Sequence, residues 1–246
     1  EIMPSLVGSE MCIRDRYWAA IKVNLVFAVV STLIQTTLGF LLAFAVYYMT
    51  PKWQQFYKVA LYIPVVLPAS VVAVMWKFML NKDIGLVNTL LRLVGLDNLT
   101  HAWIGEKSTA LGTVIAVNTW QYIGFTMVLF YIAMMNISKD VLESAAVDGA
   151  TKKDLFFNFF LPLTAGTTET NVILSISGGM KSFALFYMLT GGGPGKATTV
   201  VAQLIYTTAF VDFKFYRALA MSTVLFIIIL TLVLISRLIG RRYNYE

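Results

Sequence analysis

Five long apolar segments, separated by polar stretches, constrain this sequence more than any other feature. They cover residues 21–48, 59–80, 110–135, 168–189 and 219–239. Each is long enough to cross a bilayer as a helix, which takes about 20 residues. Hydrophobic residues make up 58% of the chain and charged residues 13%, against about 25% charged in soluble domains. The pattern predicts an all-α, polytopic membrane bundle with about five spanning helices.

The rest of the composition narrows the possible chemistry. The net charge is +6, but the basic residues are scattered over loops, which is typical of topology signals and lipid contacts rather than of nucleic-acid binding. The single Cys12 excludes an intrachain disulfide, and the lone His101 lies in a polar loop. We therefore expect no catalytic site, no metal and no cofactor.

A glycine run before Gly195-Lys196 invites comparison with a phosphate-binding loop. Such a loop requires glycine five residues before Gly195 and serine or threonine after the lysine. Thr190 and Ala197 occupy those two positions. We therefore expect the run to form a turn, and any nucleotide binding to come from another protein.

The stretch from 138 to 162, here termed the helical elbow, is a hydrophilic interruption between two apolar segments. Ser138 is placed to cap a first helix, and Asp148-Gly149 is placed to end it, because glycine tolerates the left-handed conformation. The predicted apolar stripe of that helix is Val141, Leu142, Ala145 and Ala146.

A second helix is predicted to start at once. Thr151 and Asp154 have the spacing of a capping box, and Pro162 marks a break or kink where the next apolar segment begins. The predicted apolar face of this helix is Leu155, Phe156, Phe159 and Phe160.

The elbow resembles the coupling loop of ABC-transporter permeases of the importer type. That family's pattern is Glu-Ala-Ala, three residues, Gly, nine residues, an aliphatic residue, one more residue, then Leu-Pro. Glu143-Ser144-Ala145, Gly149, Phe159 and Leu161-Pro162 fall in register. Ser144 replaces the usual alanine and Phe159 the usual isoleucine. The alternative is an ordinary cytoplasmic helical hairpin with no partner.

Further motifs resemble the carbohydrate branch of that family, in the order found in the larger-type subunit of the maltose and glycerol-phosphate permeases. The resemblance covers essentially residues 17–242, for which it implies a type I importer transmembrane domain. The matching residues are Trp76-Lys77, Gly85, Asn88, Leu90-Leu91, Trp103, Ala110, the run 189–194, Thr198, Tyr206, Ala209-Phe210 and Ala220.

The resemblance implies half of the pore of a bacterial importer in the cell (inner) membrane. Two ABC ATPase subunits would bind below the pore, with the elbow in a groove on one of them. A second permease would complete a heterodimer, and an extracytoplasmic binding protein would deliver a sugar or oligosaccharide. The alternatives are a glycerol phosphate-type solute, or a secondary transporter working alone, for which we see no clear internal repeat. The residues implied in ATPase coupling are Glu143, Ala145, Ala146, Asp148, Gly149, Ala150, Phe156 and Pro162.

Topology follows from placing the elbow in the cytoplasm. The basic loop 50–58 and the C-terminal tail with Arg237, Arg241 and Arg242 are then cytoplasmic too, as the positive-inside rule requires. Loops 81–108 and 190–214 face outside. Pro64 and Pro68 are expected to kink the second apolar segment near one end.

Polar side chains inside the apolar segments suggest a path for the solute, because lipid exposure of such groups is costly. Glu169 and Lys181 could instead lie near opposite interfaces and snorkel, and the aromatic residues could be interfacial or packing residues. The candidate path residues are Asn118, Trp120, Tyr122, Asn171, Ser175 and Lys181.

Residues 1–16 fit nothing that follows them. They resemble a spurious leader translated from adapter DNA, and we expect them to be non-native or disordered; the alternative is a genuine flexible N-terminus. The family usually has an additional spanning helix before the region that begins at Tyr17, so a sixth helix is expected to be missing.

Overall fold

The computed structural model describes the backbone of residues 3–243 and the side chains of residues 14–240. Every regular element in that part of the chain is helical. Two π-helical turns, Leu155–Phe160 and Thr207–Val211, interrupt the α-helices. The α-helices are α1 (Met3–Tyr47), α2 (Pro51–Val66), α3 (Ala69–Met79), α4 (Leu86–Leu93), α5 (Lys107–Met135), α6 (Lys139–Val147), α7 (Lys152–Asp154), α8 (Leu161–Leu163), α9 (Ala165–Met180), α10 (Ala184–Leu189), α11 (Val201–Tyr206) and α12 (Phe215–Tyr243).

Three described helices are long and apolar enough to cross a membrane, in α1, α5 and α12, and a fourth span results if α2 and α3 count together. The fourth apolar segment is not the single span that the sequence suggested. It is divided into α9 and α10 by residues 181–183, where the Lys181 and Ser182 amides bond to the Gly178 and Gly179 carbonyls instead of continuing the helix. The two glycines weaken the helix at this point.

The second apolar segment also differs from the prediction. Residues 50–58 are not a loop, because α2 begins at Pro51, whose fixed φ suits the first helical position. The chain bends by 97° between α2 and α3, at Leu67 and Pro68, while Pro64 stays inside α2. The prolines therefore mark a sharp break in the middle of the segment rather than a kink near its end.

The chain divides into two compact units, and the first comprises Glu1–Val30, Pro68–Asn118 and Gly178–Leu230. In it, α10 packs on α3, and the rings of Phe27 and Phe186 meet edge to face with centroids 4.7 Å apart. Both phenylalanines are fully buried. This core therefore joins the N-terminal part of α1 to the short helix after the break.

Asn24 is the polar hub of the first unit. Its side chain is fully buried, and its Nδ2 donates to the carbonyls of Gly179 and Met180 at 3.2 and 3.4 Å. Its Oδ1 accepts the backbone N–H of Val201 at 2.8 Å. One amide thus pairs the Met180 carbonyl at the end of α9 and the Val201 N–H at the start of α11, and adds a second bond to the Gly179 carbonyl, which also accepts from Ser182.

The second unit comprises Ser31–Leu67, Thr119–Ser177 and Thr231–Glu246. Its core joins α1, α5 and the second arm of the elbow. Gly124 lets α5 approach α2 closely, because a Cβ there would overlap the Leu61 carbonyl oxygen. The core residues are Phe40, Ala43, Val46, Met127, Phe130, Tyr131, Met134 and Phe160.

The N-terminal residues are helical where the structure describes them. Residues 3–16 continue α1 without interruption. Glu1 and Ile2 lie outside the described residues, as do the side chains of residues 3–13. That residues 1–16 are non-native stays a prediction.

Replacing Asn24 tests the hub directly. We expect Asn24→Leu to lower the free energy of unfolding by at least about 2 kcal/mol, because it strands the Val201 N–H and the Met180 carbonyl at a cost of about 1–3 kcal/mol for each unsatisfied group. The measurement is thermal unfolding of the purified chain in detergent. Asn98→Leu, at an exposed position, is the control, and equal melting of the two variants would contradict the role of Asn24.

Candidate functional site

The first arm of the elbow is α6, and it turns only part of its predicted stripe inward. Ser138 occupies the N-cap position but makes no side-chain capping bond. Leu142 is half-buried and Ala145 is buried, whereas Val141 and Ala146 are exposed. The predicted four-residue stripe was therefore too wide, since α6 contacts the protein along one narrow line.

Gly149 ends α6 as the sequence predicted. Its φ is +82°, its N–H donates to the Ala146 carbonyl at 3.1 Å, and the Ala150 N–H donates to the Ala145 carbonyl at 2.9 Å. This pair of bonds is the Schellman arrangement, which satisfies carbonyls at a helix end. A Cβ at Gly149 would meet nothing within 4 Å, so glycine is required here for its backbone conformation and not for space.

The predicted capping box between Thr151 and Asp154 is confirmed. Asp154 Oδ2 accepts from the Thr151 N–H at 2.8 Å and from its hydroxyl at 2.6 Å, and Thr151 Oγ1 accepts from the Asp154 N–H at 3.4 Å. The hydroxyl bond, followed by the backbone bond, lowers the pKa of Asp154 below its ordinary value. Both helix ends that meet at the bend are therefore satisfied by residues of the elbow itself.

The second arm is anchored by aromatic packing. Phe156 meets Phe40 and Phe44 edge to face at 5.1 and 4.9 Å, and Phe160 meets Phe44 and Tyr47 at 5.4 and 5.1 Å. The backbone here forms a π-helical turn that ends just before Pro162. The elbow is thus rooted in α1 within its own unit.

The residues implied in ATPase coupling separate into two groups. Ala145 is 5% exposed and Phe156 packs in the aromatic cluster. These two side chains therefore support the elbow from within rather than forming its outer surface. Ala150 is half-buried at the bend. The exposed members are Glu143, Ala146, Asp148, Gly149 and Pro162.

The sequence reasoning missed two exposed apolar residues of the elbow. Val147, in the last turn of α6, is 88% exposed, and Phe157, in the second arm, is 62% exposed. An available signal was that both lie outside the apolar stripes predicted for their helices. The exposed Val147, next to the exposed Asp148 in the chain, gives the tip a mixed polar and apolar surface.

The candidate path residues are divided between the two units. Asn118 and Lys181 belong to the first unit, and Trp120, Tyr122, Asn171 and Ser175 to the second. Lys181 is exposed, directly after the end of α9.

Asn171 joins three helices of the second unit. It is fully buried, its Nδ2 donates to Thr36 Oγ1 at 2.8 Å, and its Oδ1 accepts from Thr126 Oγ1 at 3.2 Å. Its amide is therefore used on both sides to join α9 to α1 and α5, and its place in the solute path stays a prediction.

Removing the capping hydroxyl tests the second helix end. We expect Thr151→Val to speed hydrogen exchange of the Thr151 and Asp154 amides about fivefold, since an N-cap is typically worth ~1 kcal/mol. At pH values above 3.8, the ordinary pKa of the carboxyl group, Asp154 is charged and its full contribution to the box is present. This contribution is lost as the pH falls through the lowered pKa of Asp154 in the folded chain. Thr170→Val is the control, because that exposed hydroxyl bonds only to the Gly166 carbonyl. Unchanged exchange in Thr151→Val at neutral pH would contradict the box.

Comparison with known proteins identifies the family. The sequence matches the family described as "Binding-protein-dependent transport system inner membrane component" over residues 35–245. It is 36% identical over 221 residues to the "Probable ABC transporter permease protein YurN" of Bacillus subtilis, covering 89% of this chain and 76% of that protein. It is 28% identical over 235 residues to the "sn-glycerol-3-phosphate transport system permease protein UgpA" of Agrobacterium fabrum, covering 94% of this chain and 78% of that protein.

The fold matches a solved structure as well. A chain of "a bacterial ABC transporter involved in the import of the acidic polysaccharide alginate" superposes with a TM-score of 0.83 at 24% identity, over 92% of this chain and 79% of that one. That likeness establishes the helical fold of an importer permease. The chain belongs to the family of inner-membrane components of binding-protein-dependent transport systems, the permeases of ABC importers.

Proposed function

We propose that this permease is half of the membrane pore of an ATP-driven importer of a sugar or oligosaccharide. The observation that carries the proposal is the elbow, a bend held by its own hydrogen bonds whose tip exposes Glu143, Val147 and Asp148. ATP hydrolysis would come from two separate ATPase subunits, and a second, different permease would complete the pore. This chain performs no covalent chemistry.

Force applied to the tip would reach the membrane helices through the aromatic root. Because Phe156 and Phe160 pack against Phe40, Phe44 and Tyr47, a displaced tip moves α1 instead of bending alone. Closure of the ATPases on ATP would displace the elbow and change the pore from inward-open to outward-open. The cycle is driven by partners that bind the two states with different affinity.

The proposed topology places the elbow and the C-terminal end of α12 in the cytoplasm. Lys52 and Lys58 of α2 and Arg237 of α12 then lie at the inner surface, as the positive-inside rule favours. The loops 81–106 and 190–214 lie outside, where an extracytoplasmic binding protein would deliver the solute.

The solute assignment is supported by the side chains proposed to line the path. Trp120 and Tyr122 are exposed on α5, and aromatic faces suit the C–H patches of sugar rings; Asn118 and Ser175 would serve the hydroxyls. Lys181 offers a cation to an acidic sugar, and it also favours the alternative, a glycerol phosphate-type solute. The Agrobacterium relative is named for glycerol 3-phosphate and the alginate transporter for an acidic polysaccharide.

Substitutions of Gly149 test the coupling role in a graded series. We expect Gly149→Asn to stay near the parent, because asparagine tolerates the left-handed region, and Gly149→Ala to lose activity several-fold, since that conformation costs roughly 1–2 kcal/mol with a Cβ. Gly149→Pro should abolish uptake, because its φ is fixed near −65° and its N–H is missing. The measurement is ATP-dependent uptake at equal membrane abundance, with ATPases and binding protein supplied.

Gly95 provides a matched control for this series. Its φ is +78°, and a Cβ there also meets nothing within 4 Å, while the Gly95 and Leu96 amides repeat the same pair of bonds at the end of α4. We expect Gly95→Ala to retain uptake better than Gly149→Ala. Normal uptake by Gly149→Pro would rule out the elbow as the coupling element.

A further inference from the structure

Helix α4, in the loop between α3 and α5, and the residue that follows it direct four apolar side chains away from the protein. Leu86, Leu90, Leu93 and Val94 are all exposed, Leu93 to 78%. At about 100° per residue, they fall within an arc of about 100° on one side of the helix. A contiguous exposed apolar surface of this kind indicates a contact with a partner or a membrane.

The side of α4 that faces the protein carries the buried polar residue Asn88, next to the half-buried Val87 and Leu91. Asn88 is 1% exposed; its Nδ2 donates to the carbonyls of Lys82 and His101 at 3.1 and 3.0 Å, and its Oδ1 accepts from Trp103 Nε1 at 2.7 Å. A surface helix in water buries its apolar residues, whereas α4 leaves four of them exposed and buries Asn88.

Short connections hold α4 close to two membrane-spanning elements. Only six residues separate the end of α3 at Met79 from Leu86. On the other side, the Trp103 carbonyl accepts from the hydroxyls of Thr109 and Thr113 in α5 at 3.0 and 3.1 Å. Helix α4 is therefore fixed at the end of the α5 span, at the level where a spanning helix leaves the hydrocarbon.

We propose that α4 is a membrane-surface helix whose exposed leucines lie among lipid acyl chains at the bilayer interface. Its apolar side continues that of α3, which contacts α4 and is itself exposed at Val71, Val74 and Phe78. An interfacial helix with one apolar side binds in the plane of the headgroup boundary. The leaflet is the outer one, a detail that rests on the proposed function.

Charge contributes little to this contact. Residues 81–106 carry Lys82 and Arg92 against Asp83, Asp97 and Glu106, so the loop has no excess of cations to attract anionic lipid. The association is therefore apolar, and it holds the outer loop flat against the leaflet while the Trp103 carbonyl fixes the same loop to α5.

Two singly spin-labelled variants of the full chain, reconstituted in lipid vesicles, test the proposal. With Cys12→Ser as the background, single labels are attached at Leu90→Cys, on the apolar side, and at Arg92→Cys, about 160° away around the helix. In phosphatidylcholine vesicles we expect the ratio of oxygen to water-soluble nickel collisions to be at least about threefold higher at position 90 than at 92. Adding phosphatidylglycerol should leave the ratio unchanged.

Two results would overturn the proposal. Equal nickel access at both positions would mean that the leucines face water, where a soluble binding protein could dock on them. Shielding of position 90 from both reagents in the assembled importer would mean a protein interface, such as one with the second permease. Neither result bears on ATP-dependent uptake, which is measured separately, so failure of the lipid contact and failure of the proposed function are distinguishable.

Discussion

Wherever a chain leaves the helical conformation inside a membrane, its freed backbone groups must find partners within the protein, because the hydrocarbon offers none. This chain meets that requirement with buried amide side chains. Gln121 donates to the Leu67 carbonyl at 3.0 Å, at the 97° bend between α2 and α3. Asn24 donates to carbonyls at the end of α9 and accepts a backbone N–H at the start of α11. The broken helices depend on these amides, and the polar residues of the apolar segments are explained first by this role.

The elbow follows the same rule outside the apolar segments. Its bend uses backbone bonds around Gly149 and the reciprocal bonds of Thr151 and Asp154, so it needs no partner to keep its shape. The aromatic cluster then joins this stiff bend to α1. A permease that responds to distant ATPases requires both properties, a tip that does not deform and a root that moves with the membrane helices.

Local chemistry in the sequence was enough to predict the elbow, but not the path of the spanning segments. Gly149, Thr151 and Asp154 act on neighbours within five residues, so their spacing identified both helix ends. The division of the fourth segment at Lys181 depends on a tertiary partner, Asn24. The helix over residues 51–58 depends on the tolerance of a proline at the first helical position. The bonds of Asn171 to α1 and α5 were not predictable, because an amide that joins helices and an amide that lines a path look the same in sequence.

The proposed contact between the elbow and an ATPase can be tested by cross-linking from the tip of the elbow. Val147, which is 88% exposed, is replaced by cysteine in a Cys12→Ser background, labelled through its thiol with a benzophenone maleimide and irradiated in the assembled importer, so that the excited ketone inserts into a C–H bond of whichever protein lies in contact. If the elbow contacts an ATPase, we expect a cross-link to an ATPase subunit, with a yield that changes when ATP is added. The absence of any cross-link from Val147→Cys, in an importer whose uptake still consumes ATP, would contradict it.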